Sequence, residues 1–187
     1  MIKQLPNILT FMRLLFVPLM AGFMLFPVSP YIYIAMALFI IAGVTDFIDG
    51  YLARKYDAIT DLGKILDPIA DKLLVVISLI MFLGIKTGND GRPWVSVILV
   101  AIIFAREIWI MGLRTVAAAK GVVVPASKTA KYKTAFQMIA IGFLFLSNYT
   151  FPFLFWDCYT VGNFLLAIST VLSIISAYDY SKRILSL

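Results

Sequence analysis

Six apolar blocks limit what this chain can fold into. They run from about Ile8 to Phe26, Tyr31 to about Ala53, about Ile65 to Ile85, Pro93 to about Ala119, about Thr134 to Ser147 and about Val161 to Tyr180. A helix needs roughly 20 apolar residues to cross the hydrocarbon of a bilayer, and most of these blocks approach or exceed that length. In lipid the backbone must satisfy its own N–H and C=O groups, so such blocks are read as helices. The expectation is an all-α integral membrane protein with six transmembrane helices and a single domain over residues 1–187. The fifth block is the shortest, and the segment from Tyr149 to Phe155 blurs its far boundary. The first block runs on past the short apolar core of a secretory signal, so it reads as a retained helix.

What the chain lacks narrows its chemistry. It has no histidine, which removes imidazole metal sites, Ser-His triads and histidine bases together. Acid-base work falls to carboxylates, lysine, tyrosine or cysteine. The single cysteine, Cys158, cannot form an intrachain disulfide and reads as a small apolar filler near a helix start. A net charge of +6 could suggest nucleic acid, but the basic residues gather at helix ends, which favours anionic lipid or a phosphorylated substrate. Of the 16 lysines and arginines, 14 belong to the N-terminal side of the predicted membrane, and only Lys86 and Arg92 to the other. The positive-inside rule then places both termini in the cytoplasm. Tyr31, Tyr33, Trp94 and Trp156 fall near the opposite interface, as an aromatic belt would.

The reactive groups concentrate between residues 46 and 71. Asp46 and Asp49 are three apart near the cytoplasmic end of the second predicted helix, and Asp67 and Asp71 are four apart near the start of the third. Each pair shares a helical face, and a short connection makes the two helices antiparallel neighbours on which four carboxylates can converge. Carboxylates so arranged repel one another and must either share protons or bind cations. An oxygen donor set without imidazole or thiolate favours magnesium, manganese or calcium. Gly50, Ala53 and Gly63 are small enough to let a bulky ligand such as a nucleotide diphosphate approach the helix backbone, and Arg54 offers a guanidinium to phosphate oxygens. The alternative for an aspartate in a membrane helix is a structural ion pair with lysines such as Lys64 and Lys72. Two closely spaced pairs with intervening glycines favour function, as charged residues in membrane segments do generally. Asp57 and Asp61, in the connection, read as solvated surface.

These residues carry a resemblance. The run Asp46-x-x-Asp49-Gly50-x-x-Ala53-Arg54, eight residues, then Gly63-x-x-x-Asp67-x-x-x-Asp71, is similar to the signature of the CDP-alcohol phosphotransferase family. Four further stretches resemble the branch of that family that uses glycerol 3-phosphate. They are Asn7 to Arg13 with Thr10, followed by Pro18; Gly63 to Lys72; Ala105-Arg106-Glu107 followed by Gly112 and Arg114; and Lys131-Tyr-Lys133-Thr134 followed by Gln137. One departure is Ala130, where the family often has glycine before the first lysine.

The resemblance implies the CDP-alcohol phosphotransferase fold and a divalent-metal enzyme, a homodimer in the cytoplasmic (inner) membrane with its active site facing the cytoplasm. It would take a phosphatidyl group from CDP-diacylglycerol to an alcohol and release CMP. It implies Mg2+ or Mn2+, two ions, at Asp46, Asp49, Asp67 and Asp71, with Asp71 as the base, although spacing alone does not separate ligand from base. Asp49, Gly50, Ala53, Arg54 and Gly63 would hold the CDP part. Arg106, Arg114, Lys131 and Lys133 would line the pocket for the acceptor's phosphate, as cations suit a dianion, and Thr10 and Arg13 would either line the same pocket or be structural. Glu107 could orient either arginine, or simply pair with it. Lys120 and Lys128 read as inside-positive topology. The rival acceptors are inositol phosphate, serine and phosphatidylglycerol, and the arginine-lysine cluster argues against serine. A cation- or proton-coupled transporter would place its carboxylates at the midplane of a repeated fold, and no repeat is visible.

The charge asymmetry makes topology testable. Reporter fusions at the C-terminus and in the loop around Asn89 are expected on opposite faces of the membrane, and signals from the same face would refute six spans.

Overall fold

The structure is a computed structural model, and it describes residues 5–55, 61–86, 91, 93–119, 121, 128–147 and 157–185. Six helices follow one another: α1 (Leu5–Met24), α2 (Tyr31–Lys55), α3 (Asp61–Gly84), α4 (Val97–Ala119), α5 (Lys128–Phe145) and α6 (Cys158–Leu185). Apart from isolated bridges such as Lys86 with Pro93, no strand occurs among the described residues. The helices fall into two compact units, Met1–Ile85 and Lys86–Leu187.

Local chemistry explains where several helices begin. Pro30 precedes α2, and its carbonyl accepts from the N–H groups of Tyr33 and Ile34, which suits a residue whose fixed φ pre-organises a first turn. Asp157 caps α6: its Oδ1 accepts from the Thr160 N–H at 3.2 Å, the usual work of an N-cap aspartate. That cap starts α6 at Cys158 rather than near Val161, where its apolar run begins. Likewise α5 starts at Lys128 rather than near Thr134, so Lys131 and Lys133 are helical. The segment around Tyr149 lies outside the described residues.

In the first unit α1 is the central helix. Its buried positions are Thr10, Arg13, Val17, Met20 and Met24, a stripe with alternating spacings of three and four. On α2 the facing stripe is Ala35, Phe39 and Ala42, whose small members allow close approach, and on α3 it includes Ala70, Leu74, Ser78 and Phe82. Ser78 satisfies its hydroxyl by donating to the Leu74 carbonyl at 2.7 Å. α2 and α3 pack on each other far less than either packs on α1.

In the second unit α6 takes the central place, packing extensively on α5 and also on α4. Leu166, Ser169, Ser173, Ser176, Tyr180 and Ile184 form its buried face. One apolar cluster joins Ile110 and Ala117 of α4 to Tyr180 and Ile184. Asn163 ties the segment before α4 to α6 by donating to the Trp94 carbonyl at 3.0 Å.

The outer surface is strongly apolar. Leu15, Ile40, Ile80, Ile98, Phe104, Ile139, Phe164 and Ile174 are all exposed, a pattern that lipid chains solvate and water does not. Among the described residues one helix, Cys158–Ile184, is long and apolar enough by itself to cross a membrane, and Ile8–Met24 and Tyr31–Asp46 are shorter apolar stretches. In α3 and α4 the apolar runs are interrupted by Asp71 and Lys72, and by Arg106, Glu107 and Arg114.

Among the described glycines, Gly162 of α6 has the closest surroundings: an added Cβ would come 3.0 Å from the Leu144 side chain and 3.2 Å from the Ala140 carbonyl oxygen. Gly162→Val is expected to lower the thermal midpoint of the detergent-solubilised protein, at a cost of about 1–3 kcal/mol from overpacking. Gly142→Ala, where a Cβ meets nothing within 4 Å, should leave the midpoint unchanged or slightly raised.

Candidate active site

The first unit brings three of the expected site residues together. Arg13 sits on the core stripe of α1 with no exposed surface, and one nitrogen, Nη1, pairs with Asp46 Oδ1 of α2 at 2.8 Å and with Asp71 Oδ1 of α3 at 2.5 Å. Asp46 and Asp71 keep 42% and 45% of their side chains exposed, while Oδ1 of each is held by Arg13. Arg13, for which both a place in the acceptor's pocket and a structural role are expected, is engaged here with the two carboxylates, as a guanidinium buried on a core stripe must find anions. Thr10 lies one turn earlier on the same buried stripe.

The aspartates also lie deeper in their helices than their place at the edges of the apolar blocks suggests. α2 continues from Asp46 to Lys55, and α3 begins at Asp61, well ahead of Asp71. Each carboxylate is therefore between two and three turns from the helix end. The side chains of Asp49, Gly50, Ala53, Arg54, Gly63 and Asp67 lie outside the described residues. Among those described, no group of three or more His, Cys, Asp or Glu side chains could hold a metal. The donor chemistry nonetheless fits a hard divalent cation: two half-exposed carboxylates from different helices meet at one point, in a chain without imidazole.

The second unit gathers the expected cations. Arg106, Arg114, Lys131 and Lys133 line an open cleft of about 400 Å³ with Ala130, Thr134 and Ala135. Arg106 and Arg114 stand two turns apart on α4, and the lysines lie in the first turns of α5. Their surroundings differ. Lys131 and Arg114 are exposed, whereas Lys133 is buried and Arg106 nearly so. The Arg114 guanidinium lies over the Tyr180 ring, 5.7 Å from its centroid, within range of a cation–π attraction. Arg106 donates from Nε to the Ser173 carbonyl at 3.3 Å and from Nη2 to the Ser176 hydroxyl at 2.6 Å. Glu107 takes a bond from Arg106 Nη1 at 2.9 Å and pairs with Lys133 Nζ.

Residue-type reasoning passed over Ser173, Ser176 and Tyr180. The available signal was a polar stripe, Ser169, Ser173 and Ser176, at helical spacing inside the longest apolar helix. Lys120 and the Lys128 side chain lie outside the described residues.

With exposed apolar side chains on both units and its charged groups paired across helices, the chain has the architecture of a helical membrane protein. It belongs to the CDP-alcohol phosphatidyltransferase family, whose model matches residues 3–175. A protein of Rickettsia typhi named CDP-diacylglycerol–glycerol-3-phosphate 3-phosphatidyltransferase is 40% identical over 180 residues, covering 96% of each chain. Its namesake in Bacillus subtilis is 36% identical, over 96% of this chain and 94% of its own. One in Cereibacter sphaeroides is 45% identical over 78% of this chain and 64% of its own.

The buried guanidinium makes a prediction. Arg13→Met should destabilise the protein by about 2 kcal/mol, between the cost of breaking a buried pair and that of a solvent-screened one, since both carboxylates are near half exposed. Arg13→Lys should recover part of the loss. A thermal midpoint unchanged in Arg13→Met would remove Arg13 from its central place in the unit.

Proposed function

We propose that the chain transfers the phosphatidyl group of CDP-diacylglycerol to glycerol 3-phosphate, giving phosphatidylglycerol phosphate and CMP. The observation that carries this reading is the four-cation cleft on α4 and α5, in a chain whose relatives are named for this donor and this acceptor. A phosphomonoester dianion needs such a cleft and serine does not. The names favour glycerol 3-phosphate over inositol phosphate and phosphatidylglycerol. The 14-to-2 distribution of basic residues supports six spans with both termini and the active site on the cytoplasmic side. That arrangement suits a reaction in which one substrate stays in the bilayer and the other arrives from the cytosol. Assembly as a homodimer belongs to the same reading.

In the reaction an acceptor hydroxyl oxygen bonds to the phosphorus that carries the diacylglycerol, the bond to the bridging oxygen breaks, and CMP leaves with that electron pair. Arg106, Arg114, Lys131 and Lys133 bind and orient the acceptor through its phosphate. Asp71, fixed through Oδ1 by Arg13, takes the hydroxyl proton. Asp49, Gly50, Ala53, Arg54 and Gly63 hold the CDP moiety. Asp46, Asp49, Asp67 and Asp71 would hold Mg2+ or Mn2+, which neutralises diphosphate charge and stabilises the departing nucleotide.

The test is CMP release by purified protein given CDP-diacylglycerol and each acceptor. Glycerol 3-phosphate should exceed serine, inositol phosphate and phosphatidylglycerol. A chelator should abolish the signal, and magnesium or manganese should restore it. At saturating metal, Asp71→Asn should cut turnover by about 10²–10⁴, as loss of a general base does, while keeping nucleotide affinity better than Asp46→Asn or Asp67→Asn. Near-normal turnover in Asp71→Asn would move the proton to another group, and preference for a different acceptor would refute the assignment.

A further inference from the structure

We propose that Glu107 is the positioning residue of the cationic cleft, holding Arg106 and Lys133 as a fixed pair for the acceptor's phosphate; this rests on the reading of the cleft given above. The first support is connectivity. α4 and α5 each pack on α6, but among the described residues their backbones do not pack closely on each other. A single oxygen, Glu107 Oε1, nonetheless accepts from Arg106 Nη1 on α4 and from Lys133 Nζ on α5. The carboxylate thus spans the two helices that carry the cleft's cations, and sets the separation of its walls.

The second support is location. Glu107 occupies the buried stripe of α4, with Val100, Ile103, Ile110 and Ala117, and is not among the residues lining the cleft. It lies behind the cations. Arg106 is held from another side as well, through the Ser173 carbonyl and the Ser176 hydroxyl. Three of its nitrogens are committed to the protein, yet a guanidinium has five N–H donors, so some are left for a ligand while the plane is kept from turning.

Two simpler accounts compete. Glu107 could serve only to neutralise Lys133, whose burial alone would be costly; that needs one cation, whereas Glu107 takes two, from two helices, both lining one cleft. By Coulomb's law alone a carboxylate there would weaken phosphate binding, and its removal would tighten it. The accounts therefore differ in sign.

The experiment compares wild type with Glu107→Gln, which keeps the shape and removes the charge. Positioning predicts a KM for glycerol 3-phosphate raised about tenfold, with the KM for CDP-diacylglycerol unchanged. It also predicts that inorganic phosphate, which protects the wild type against thermal unfolding, is needed at about tenfold higher concentration by the variant. A lower KM or stronger phosphate protection would overturn the proposal in favour of simple repulsion. Unchanged values with a lower midpoint would overturn it in favour of neutralisation. Should Glu107→Gln fail to fold, Ser176→Ala leaves the Glu107–Lys133 pair intact and removes the hydroxyl that accepts from Arg106 Nη2, together with that hydroxyl's own bond to the Ser173 carbonyl. It should raise the same KM about threefold, and no change there also overturns the proposal. The phosphate series separates the two readings. A wild type protected by phosphate but inactive with glycerol 3-phosphate would refute the acceptor, and the variants' protection would still decide the role of Glu107. A wild type that phosphate does not protect would refute the positioning role itself.

Discussion

A guanidinium with no access to solvent organises the first unit. Arg13 occupies a position on α1 that its neighbours at Val17 and Met20 give to the apolar core, and an ion there is tolerable only if counter-ions come to it. Asp46 and Asp71 do so from two different helices. Because α2 and α3 pack weakly on each other, their carboxylates are brought to one place chiefly through α1. The Asp46–Asp71 pair is therefore held by three helices, although the sequence motif it belongs to spans only two.

The second unit follows the same logic with the signs exchanged. There a carboxylate, Glu107, occupies the core stripe of α4, and the cations around it face the cleft. α6 supplies the frame: Ser173 and Ser176 hold Arg106, and Tyr180 lies under Arg114. The seven-residue step from Ser173 to Tyr180 and the eight-residue step from Arg106 to Arg114 each span about two turns, which lets two packed helices meet at both places. Each unit thus compensates a buried ion with side chains of the opposite sign, so charge is tolerated where apolar packing would otherwise exclude it.

Much of this was legible in the sequence, for identifiable reasons. The six helices followed from apolar block length, and family membership from the residues between Asp46 and Asp71. Arg106, Arg114, Lys131 and Lys133 line one cleft, whereas Thr10 and Arg13, named with them from the sequence, belong to the other unit. Helix starts were misjudged where polar residues continue a helix beyond its apolar run, as at Lys128, or where a cap such as Asp157 begins it earlier. The partners of Arg13 were out of reach because they are set by tertiary packing over 33 and 58 positions. Charge type predicts that an arginine will find an anion, and does not predict whether the anion is a ligand's or the protein's own. Ser173, Ser176 and Tyr180 were missed because serine and tyrosine in an apolar helix read as filler until the arginines they hold are in view.

The sharing of one nitrogen by two carboxylates has a consequence for charge. Asp46 and Asp71 bring two negative charges to the single positive charge of Arg13, so these three side chains together keep an excess of one negative charge, and nearly half of each carboxylate side chain is exposed. The attraction of that excess for any further cation is set against the attraction already exerted by Arg13.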